Sequence, residues 1–377
     1  MQTLDFTRPV APEEAGIDPT ALTRLHDLFG SQLADGLHPA AQLVVVKDGQ
    51  VVIDLAAGSF RGGKPVKPDT PFYCFSVSKA FTGICIHKLI EEGKVALDAP
   101  VAAYWPAFGK KGKEKITIRQ VFHHTAGIPA IDRYRQIPLW PFWSLVMADI
   151  ARLTPEFEPG SKMAYHAVTW GFIFGEVVRR VSGMSLETYF HRHFAHPLGM
   201  HNSWFRIPAK DLACSPRIIS GHPDQNTLVR VFDARTIRRA VIPAASLHST
   251  ARELAVFYHM LVNQGSYCGK QYLKPDTVRQ AVSLGYSGWD EINQRYSLWA
   301  YGFHLGGRKD EQQEESVFTE RSTRATFGHM GNRSCMAWAD MDHKLVVAFT
   351  CNRLIGNQEN RKRWIALNNA VWDLMGV

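Results

Sequence analysis

The 377-residue chain lacks several features that would place it in other classes of protein. No apolar run reaches the roughly 20 residues that a membrane-spanning helix needs, so no span is predicted. Residues 1–8 carry no basic-then-apolar signal pattern, and a cytoplasmic location is therefore expected. Low-complexity segments and internal repeats are also missing. With 45% hydrophobic and 21% charged residues, the composition is that of a folded globular protein.

Cysteine is scarce, and its spacing excludes the common metal and redox motifs. The six cysteines never form Cys-x-x-Cys, and we expect reduced, mostly buried thiols. Four histidines cluster between residues 191 and 201, but their spacing matches no zinc motif and no carboxylate is arranged among them. A helix surface is the better interpretation of that cluster. The sequence therefore predicts no metal and no cofactor.

The net charge of +8 is too moderate and too scattered to indicate a nucleic-acid-binding protein. Its basic clusters, around residues 110–113, 235–239 and 361–363, are short, and no nucleic-acid motif accompanies them. We interpret them as solvated surface, with steering of anionic substrates or weak nucleic-acid contact as the alternative. The expected partner is a small molecule, and nothing in the sequence indicates an oligomeric state.

Strand patterns lie at both ends of the chain and helical patterns fill its middle. Two β-branched runs around Asp48-Gly49 predict a hairpin, and strands are predicted at 325–331, 334–340 and 344–351. Helices are predicted after Asp18, from Ser76 to about Glu92 and over 359–374, while 206–241 reads as irregular.

The fold class that follows is α+β, as an α/β sandwich. Terminal strands would join one antiparallel sheet flanked by the terminal helices. Residues 1–75 and 240–377 would form the sheet domain, residues 76–239 a mainly helical inserted subdomain, and the active site would lie at their interface.

Ser76 and Lys79 are the first candidate catalytic pair. They are three residues apart, so on a helix they share one face, and a hydroxyl beside an amine can be a nucleophile beside its base. The apolar residues around them suit a pocket in which burial lowers the pKa of the lysine. The alternative is an ordinary helix start, with Ser76 as the cap and Lys79 exposed.

Tyr165 is the third candidate, because it follows a turn and precedes a predicted helix. A phenol near a deprotonated lysine can act as a second base or a proton relay. Taken by itself, a tyrosine in this position is also a common packing residue. His123 and His124 are expected to brace the loop beside the site.

The sequence resembles the serine β-lactamase-like superfamily, nearest its esterase branch, the family VIII carboxylesterases. Seven segments match in the family's order over nearly the whole chain: residues 12–16, the Asp48-Gly49 hairpin, Ser76-Val77-Ser78-Lys79, His124-Thr125-Ala126-Gly127-Ile128-Pro129, Pro159-Gly160 with Tyr165, Ser249-Thr250-Ala251 and Phe327-Gly328-His329-Met330-Gly331.

The resemblance implies a role for each of these positions. Ser76 would be the acylated nucleophile, and Lys79 and Tyr165 would share the roles of base and acid. The backbone N–H groups of Ser76 and Asn332 would form the oxyanion hole. Substrate would lie along His329, Met330 and Gly331, on the strand where β-lactamases have Lys-Thr-Gly.

Two departures from the β-lactamase pattern favour an esterase. Ala167 stands where class C β-lactamases have the asparagine of Tyr-x-Asn, so the amide that would bind a β-lactam side chain is missing. His329 and Met330 replace the lysine and threonine that grip a carboxylate. Trp140 and Trp143 would wall an apolar acyl pocket, unless they belong to the subdomain core. The alternatives are a β-lactamase, a D-Ala-type peptidase or an acyltransferase on the same site, and a non-catalytic scaffold.

Overall fold

A computed structural model describes residues 3–128, 137–307 and 316–376, and a nine-stranded antiparallel sheet forms the centre of these residues. The strands in chain order are β1 (Ala40–Lys47), β2 (Gln50–Phe60), β3 (Lys64–Pro65), β4 (Phe72–Tyr73), β5 (Ile219–Ser220), β6 (His248–Ser249), β7 (Ser266–Tyr267), β8 (Lys270–Gln271), β9 (Tyr286–Asp290), β10 (Arg295–Trp299), β11 (His304–Leu305), β12 (Thr326–Gly331), β13 (Cys335–Asp340), β14 (Leu345–Cys351) and β15 (Arg353–Leu354). The order across the large sheet is β3-β2-β1-β14-β13-β12-β11-β10-β9.

The described residues also form twelve α-helices. They are α1 (Pro19–Ala34), α2 (Ser78–Glu91), α3 (Val101–Tyr104), α4 (Ile118–Phe122), α5 (Trp143–Arg152), α6 (Thr169–Ser182), α7 (Leu186–Phe190), α8 (Asn226–Phe232), α9 (Arg235–Arg238), α10 (Ala251–Val262), α11 (Pro275–Ala281) and α12 (Asn357–Asp373). Within the same residues, none of the helices combines the length and the apolar character that crossing a membrane requires.

The first and last strands of the chain pair as the sequence predicts. The β1–β2 hairpin turns at Asp48 and Gly49, which both have positive φ (49° and 79°), the conformation that a tight hairpin turn of this kind needs. β1 then pairs with β14 over seven residue pairs, from Ala41 opposite Cys351 to Lys47 opposite Leu345. Strands more than 290 residues apart in sequence therefore lie side by side in the centre of the sheet.

Both faces of the sheet are buried at β1, which explains why this strand reads as a continuous apolar run. Val44 and Val46 pack into the larger apolar cluster, together with α2 and α10. Leu43 and Val45 point to the opposite face and pack into the cluster formed with α1 and α12. Because each face has its own helical cover, both sets of alternating side chains are apolar.

The structure also corrects the sequence reading at two places. β9, β10 and β11 extend the sheet beyond β12, although no strand was predicted between residues 286 and 305. Their sequences, Tyr-Ser-Gly-Trp-Asp and Arg-Tyr-Ser-Leu-Trp, mix polar and apolar residues without a clean alternation, so pairing with the neighbouring strands decides their conformation. The region read as irregular, 206–241, contains the short helices α8 and α9.

Candidate active site

Ser76 lies in a tight 3₁₀ turn, Phe75–Val77, that immediately precedes α2. The helix begins two residues later than predicted, and no side chain caps it, so the interpretation of Ser76 as a helix cap is wrong. Phe75 has a φ of 46°, a left-handed conformation that is rare and costly for a bulky residue. The turn is fixed from outside, since the Ser78 hydroxyl donates to the Phe75 carbonyl (2.5 Å) and accepts from the Leu247 N–H (2.9 Å).

Lys79 is completely buried, and its amine lies 3.2 Å from the Ser76 hydroxyl oxygen. Burial holds the pKa of Lys79 well below its ordinary value, which favours the neutral amine. The amine also lies 2.8 Å from the Ala167 carbonyl and 3.3 Å from the Ala244 carbonyl. A neutral amine has two hydrogens and one lone pair, and carbonyl oxygens can only accept. In the neutral amine the two carbonyls can take both hydrogens, which leaves the lone pair available to accept the hydrogen of Ser76.

Tyr165 completes the group around the nucleophile. The Lys79 amine lies 4.7 Å from the centre of the phenol ring, which stacks on Trp299 at 5.7 Å. Burial raises the pKa of Tyr165, and its side-chain hydrogen bond with Ser76 opposes that rise. The tyrosine is thus a neutral phenol in hydrogen-bonding contact with Ser76.

The loop around His124 braces Tyr165, as the sequence indicates. The His124 carbonyl accepts from the Ala164 N–H (3.1 Å), and its Nδ1 accepts from the His166 N–H (3.1 Å). The His124 ring also packs against the phenol, at 4.8 Å between ring centres. Since Nδ1 is an acceptor and burial holds the pKa of His124 well below its ordinary value, the ring is neutral.

The end of β12 passes directly beside the Phe75–Val77 turn that contains Ser76. A Cβ atom on Gly331 would lie 2.2 Å from the Cys74 carbonyl oxygen, so only glycine allows this approach. Asn332 follows with a φ of 29° and begins the turn into β13. The strand end and the residues just before Ser76 are therefore held against each other, which brings the backbone of Asn332 into the neighbourhood of Ser76.

The predicted substrate-binding residues of β12 lie on opposite faces of the sheet. His329 is buried, its Nδ1–H donates to the Met330 carbonyl (2.8 Å), and burial lowers its pKa to about 3. The ring is therefore neutral with a lone pair on Nε2, which makes that nitrogen a hydrogen-bond acceptor. The Met330 side chain packs with the cluster beneath α1 and α12.

The two tryptophans predicted to wall an acyl pocket separate in the structure. Trp140 packs on Phe232 (5.8 Å), which in turn packs on Phe75 (5.4 Å), next to the nucleophile. Trp143 packs instead on Phe172 of α6 (5.6 Å), and its indole N–H donates to the buried Glu176 (2.8 Å). Trp140 thus belongs to the aromatic residues beside Ser76, whereas Trp143 belongs to the helical core.

Sequence reasoning missed three residues that shape the site: Phe232, Ala244 and Asp290. Phe232 lies on a helix that was not predicted, and Ala244 acts through its backbone carbonyl, which no side-chain pattern reveals. Asp290 accepts a hydrogen bond from the Tyr165 backbone N–H (3.0 Å), although 125 residues separate the two. None of these contacts leaves a local signal in the sequence.

The chain is similar to known proteins over most of its length. The chain is 28% identical over 357 residues to the esterase/beta-lactamase LipL of Mycobacterium tuberculosis, covering 87% of this chain and 80% of LipL. It is 25% identical over 382 residues to a protein of Salmonella enteritidis named as a putative D-alanyl-D-alanine carboxypeptidase, covering 91% of this chain and 85% of that protein.

A solved structure and a family model also match most of the chain. The crystal structure of a family VIII carboxylesterase superposes with a TM-score of 0.81 and 26% identity, covering 94% of this chain and 98% of the esterase. A family model described as beta-lactamase matches residues 25–371, nearly the whole length of the sequence. Because this family model matches far more than half of the chain, the chain belongs to the beta-lactamase family.

Proposed function

We propose that this protein is a serine hydrolase that cleaves carboxylic esters through an acyl-Ser76 intermediate. The observation that carries the proposal is the position of the buried Lys79 amine, which lies 3.2 Å from the Ser76 hydroxyl oxygen and within hydrogen-bonding distance of two backbone carbonyls. A serine needs a neutral base within hydrogen-bonding distance to become a nucleophile near neutral pH. The cleft would lie between the sheet domain and the helical subdomain.

In acylation, Ser76 Oγ attacks the ester carbonyl carbon and its proton moves to Lys79. The tetrahedral oxyanion would be held by the backbone N–H groups of Ser76 and Asn332, a type of contact for which one donor contributes about 3 kcal/mol in other enzymes. The C–O bond of the ester then breaks, and the leaving alkoxide takes a proton from the Tyr165 phenol, which Lys79 reprotonates. In deacylation, a water molecule attacks the acyl carbon and its proton passes through Tyr165 to Lys79. The bond between that carbon and Ser76 Oγ then breaks, Ser76 takes the proton back from Lys79, and the carboxylic acid is released.

The preference for esters is supported by what surrounds Ser76. Ala167 offers no amide to a β-lactam side chain, and the neutral His329 offers no positive charge to a carboxylate. A site of this kind suits neutral esters better than penicillins or D-Ala-D-Ala peptides. Similarity to LipL and to a family VIII carboxylesterase supports the same choice.

A D-Ala-type peptidase, a β-lactamase or an acyltransferase on the same site is the second candidate. Similarity to the putative carboxypeptidase of Salmonella enteritidis favours it, since acyl-enzyme chemistry at Ser76 would be common to all these activities. A non-catalytic scaffold is disfavoured, because a scaffold has no need for a buried lysine with its lone pair on a serine hydroxyl.

The test compares p-nitrophenyl butyrate with a chromogenic cephalosporin, using the wild type and Ser76→Ala. We expect ester hydrolysis by the wild type and a loss of at least about 10³-fold in the variant, because removing a nucleophile abolishes the covalent route. Equal ester rates in both proteins would refute the role of Ser76. Fast cephalosporin turnover without ester cleavage would establish the second candidate, and failure of a fluorophosphonate to label Ser76 would point to the scaffold.

A further inference from the structure

Asp290 is a completely buried acid that the proposed mechanism does not use. It ends β9 at the edge of the sheet, where the chain turns into β10. Burying a charged group is costly unless hydrogen bonds compensate it, so its partners indicate what it is for. One of them is the backbone N–H of Tyr165, 3.0 Å from the Asp290 Oδ1.

The other partners of Asp290 lie in its own turn. Oδ1 also accepts from the N–H groups of Ile292 (3.0 Å) and Asn293 (3.3 Å), and Oδ2 accepts from the Asn293 side-chain amide (2.6 Å). These bonds hold the carboxylate in one orientation. The Tyr165 N–H is thus the long-range contact of a group that its local contacts have already oriented.

A second hydrogen bond joins the same two segments. The Glu291 N–H donates to the Met163 carbonyl (3.1 Å), and Met163 forms a bridge with Asp290. The turn after β9 therefore holds the chain on both sides of Ala164, once as a donor and once as an acceptor.

Tyr165 needs such support because it lies in no helix or strand. It precedes α6 by four residues, so helical hydrogen bonds do not fix its backbone. Packing against Trp299 and His124 orients the Tyr165 ring. These contacts do not prevent the ring from moving within its own plane. A hydrogen bond to a carboxylate is about twice as strong as a neutral one, and here it fixes the position of the Tyr165 backbone.

We propose that Asp290 is a positioning residue for the reaction. It holds the Tyr165 backbone in the position from which the phenol reaches Ser76. The inference rests on the hydrolase function proposed above. Displacing a catalytic group by about 1 Å can cost about 100-fold in rate, so a backbone contact far from the reacting atoms can control turnover.

The experiment compares Asp290→Ala, Asp290→Asn and Asn293→Ala. In Asp290→Ala we expect kcat for p-nitrophenyl butyrate to fall by about 10- to 100-fold with KM within about threefold, because Tyr165 does not bind the substrate's ground state. Asp290→Asn keeps an oxygen for the Tyr165 N–H and is expected to retain kcat within about threefold. Asn293→Ala loosens the turn but leaves the Asp290–Tyr165 bond, so its kcat is expected to stay near that of the wild type.

Hydrogen exchange of the Tyr165 amide provides a readout that needs no activity. Exchange is expected to be slow in the wild type and Asp290→Asn, and fast in Asp290→Ala. Unchanged exchange or unchanged kcat in Asp290→Ala would overturn the inference, as would an Asp290→Asn variant as slow as Asp290→Ala. If the wild type neither cleaves the ester nor reacts with a fluorophosphonate, the proposed function fails, and the exchange rates still decide whether Asp290 holds Tyr165.

Discussion

At the scale of single residues, the decisive feature is the buried Lys79 amine, which is proposed to act as the base for Ser76. Methionine has nearly the length of lysine but no basic nitrogen, so Lys79→Met removes the base while filling much of the same space. We expect labelling of Ser76 by a fluorophosphonate to slow by about 10²- to 10⁴-fold, the usual contribution of a general base.

A second lysine on the same helix provides the matched control. Lys88 is half-buried on α2 and pairs with Glu91, away from Ser76. Lys88→Met is expected to label at the rate of the wild type. Equal slowing in both variants would show that any lysine replacement on α2 disturbs the site, and Lys79 would lose its role as the base.

The same burial predicts the shape of the pH profile. The protonated amine has no lone pair for the Ser76 hydrogen, so activity falls as pH decreases through the pKa of Lys79. Because burial lowers that pKa well below its ordinary value, activity is expected already near neutral pH, with an acid limb in kcat/KM. A profile that rises only near the ordinary lysine pKa of about 10.4 would show that the amine is not neutral in the folded protein.

At the scale of elements, local patterns predicted those whose cause is local. Asp18 caps α1 and Pro19 opens it, as their order in the sequence indicates, with the Asp18 side chain accepting from the Thr20 N–H. The β1–β2 hairpin turns at the predicted Asp48-Gly49, and the strands β12, β13 and β14 lie within a residue of their predicted bounds. In each case the residue types that favour the element also lie inside it.

Elements decided by distant contacts were not predictable. Thr250 and Glu253 have the spacing of a capping box, and Thr250 does cap α10. The Glu253 side chain accepts from Asn202 and Ser203 and not from the cap, so only half of the box forms. For the candidate site, Ser76, Lys79 and Tyr165 could be singled out from the sequence, whereas the contacts of Asp290 and the Ala244 carbonyl came only from the fold.

The close approach of β12 to the Phe75–Val77 turn predicts what happens when one methyl group is added at Gly331. In Gly331→Ala the new Cβ would lie 2.2 Å from the Cys74 carbonyl oxygen, so the strand end and the turn must move apart. We expect a loss of about 10²-fold in kcat/KM for p-nitrophenyl butyrate, since both residues proposed for the oxyanion hole adjoin this contact, and a loss of about 1–3 kcal/mol in the free energy of unfolding.

Gly30→Ala is the control for this substitution. Gly30 is exposed on α1, and a Cβ there meets no atom within 4 Å. Alanine is a better helix former than glycine by up to about 1 kcal/mol, so this variant is expected to be slightly more stable than the wild type and equally active. If Gly331→Ala keeps full activity, the contact between the strand end and the turn does not control the site.

At the scale of the whole molecule, nine of the sixteen histidines are buried: His38, His87, His123, His124, His166, His248, His259, His304 and His329. Burial lowers the pKa of every one of them. The unfolded chain takes up protons below about pH 6.5, whereas the folded protein does not until lower pH. Stability is therefore expected to fall as pH decreases from 7 to 5, which urea unfolding at both pH values would measure.

One histidine outside the active site isolates this effect. His38 lies between Phe29 (5.4 Å) and Phe349 (5.2 Å), and burial, then the charge of Arg363, lowers its pKa to about 3. In His38→Leu the residue cannot bind a proton in either state, so the loss of stability between pH 7 and 5 is expected to be smaller than in the wild type by about 2 kcal/mol. The exposed His26 on α1 is the control, and His26→Leu should keep the wild-type difference. If His38→Leu loses as much stability as the wild type over this interval, buried histidines do not set the acid sensitivity of the fold.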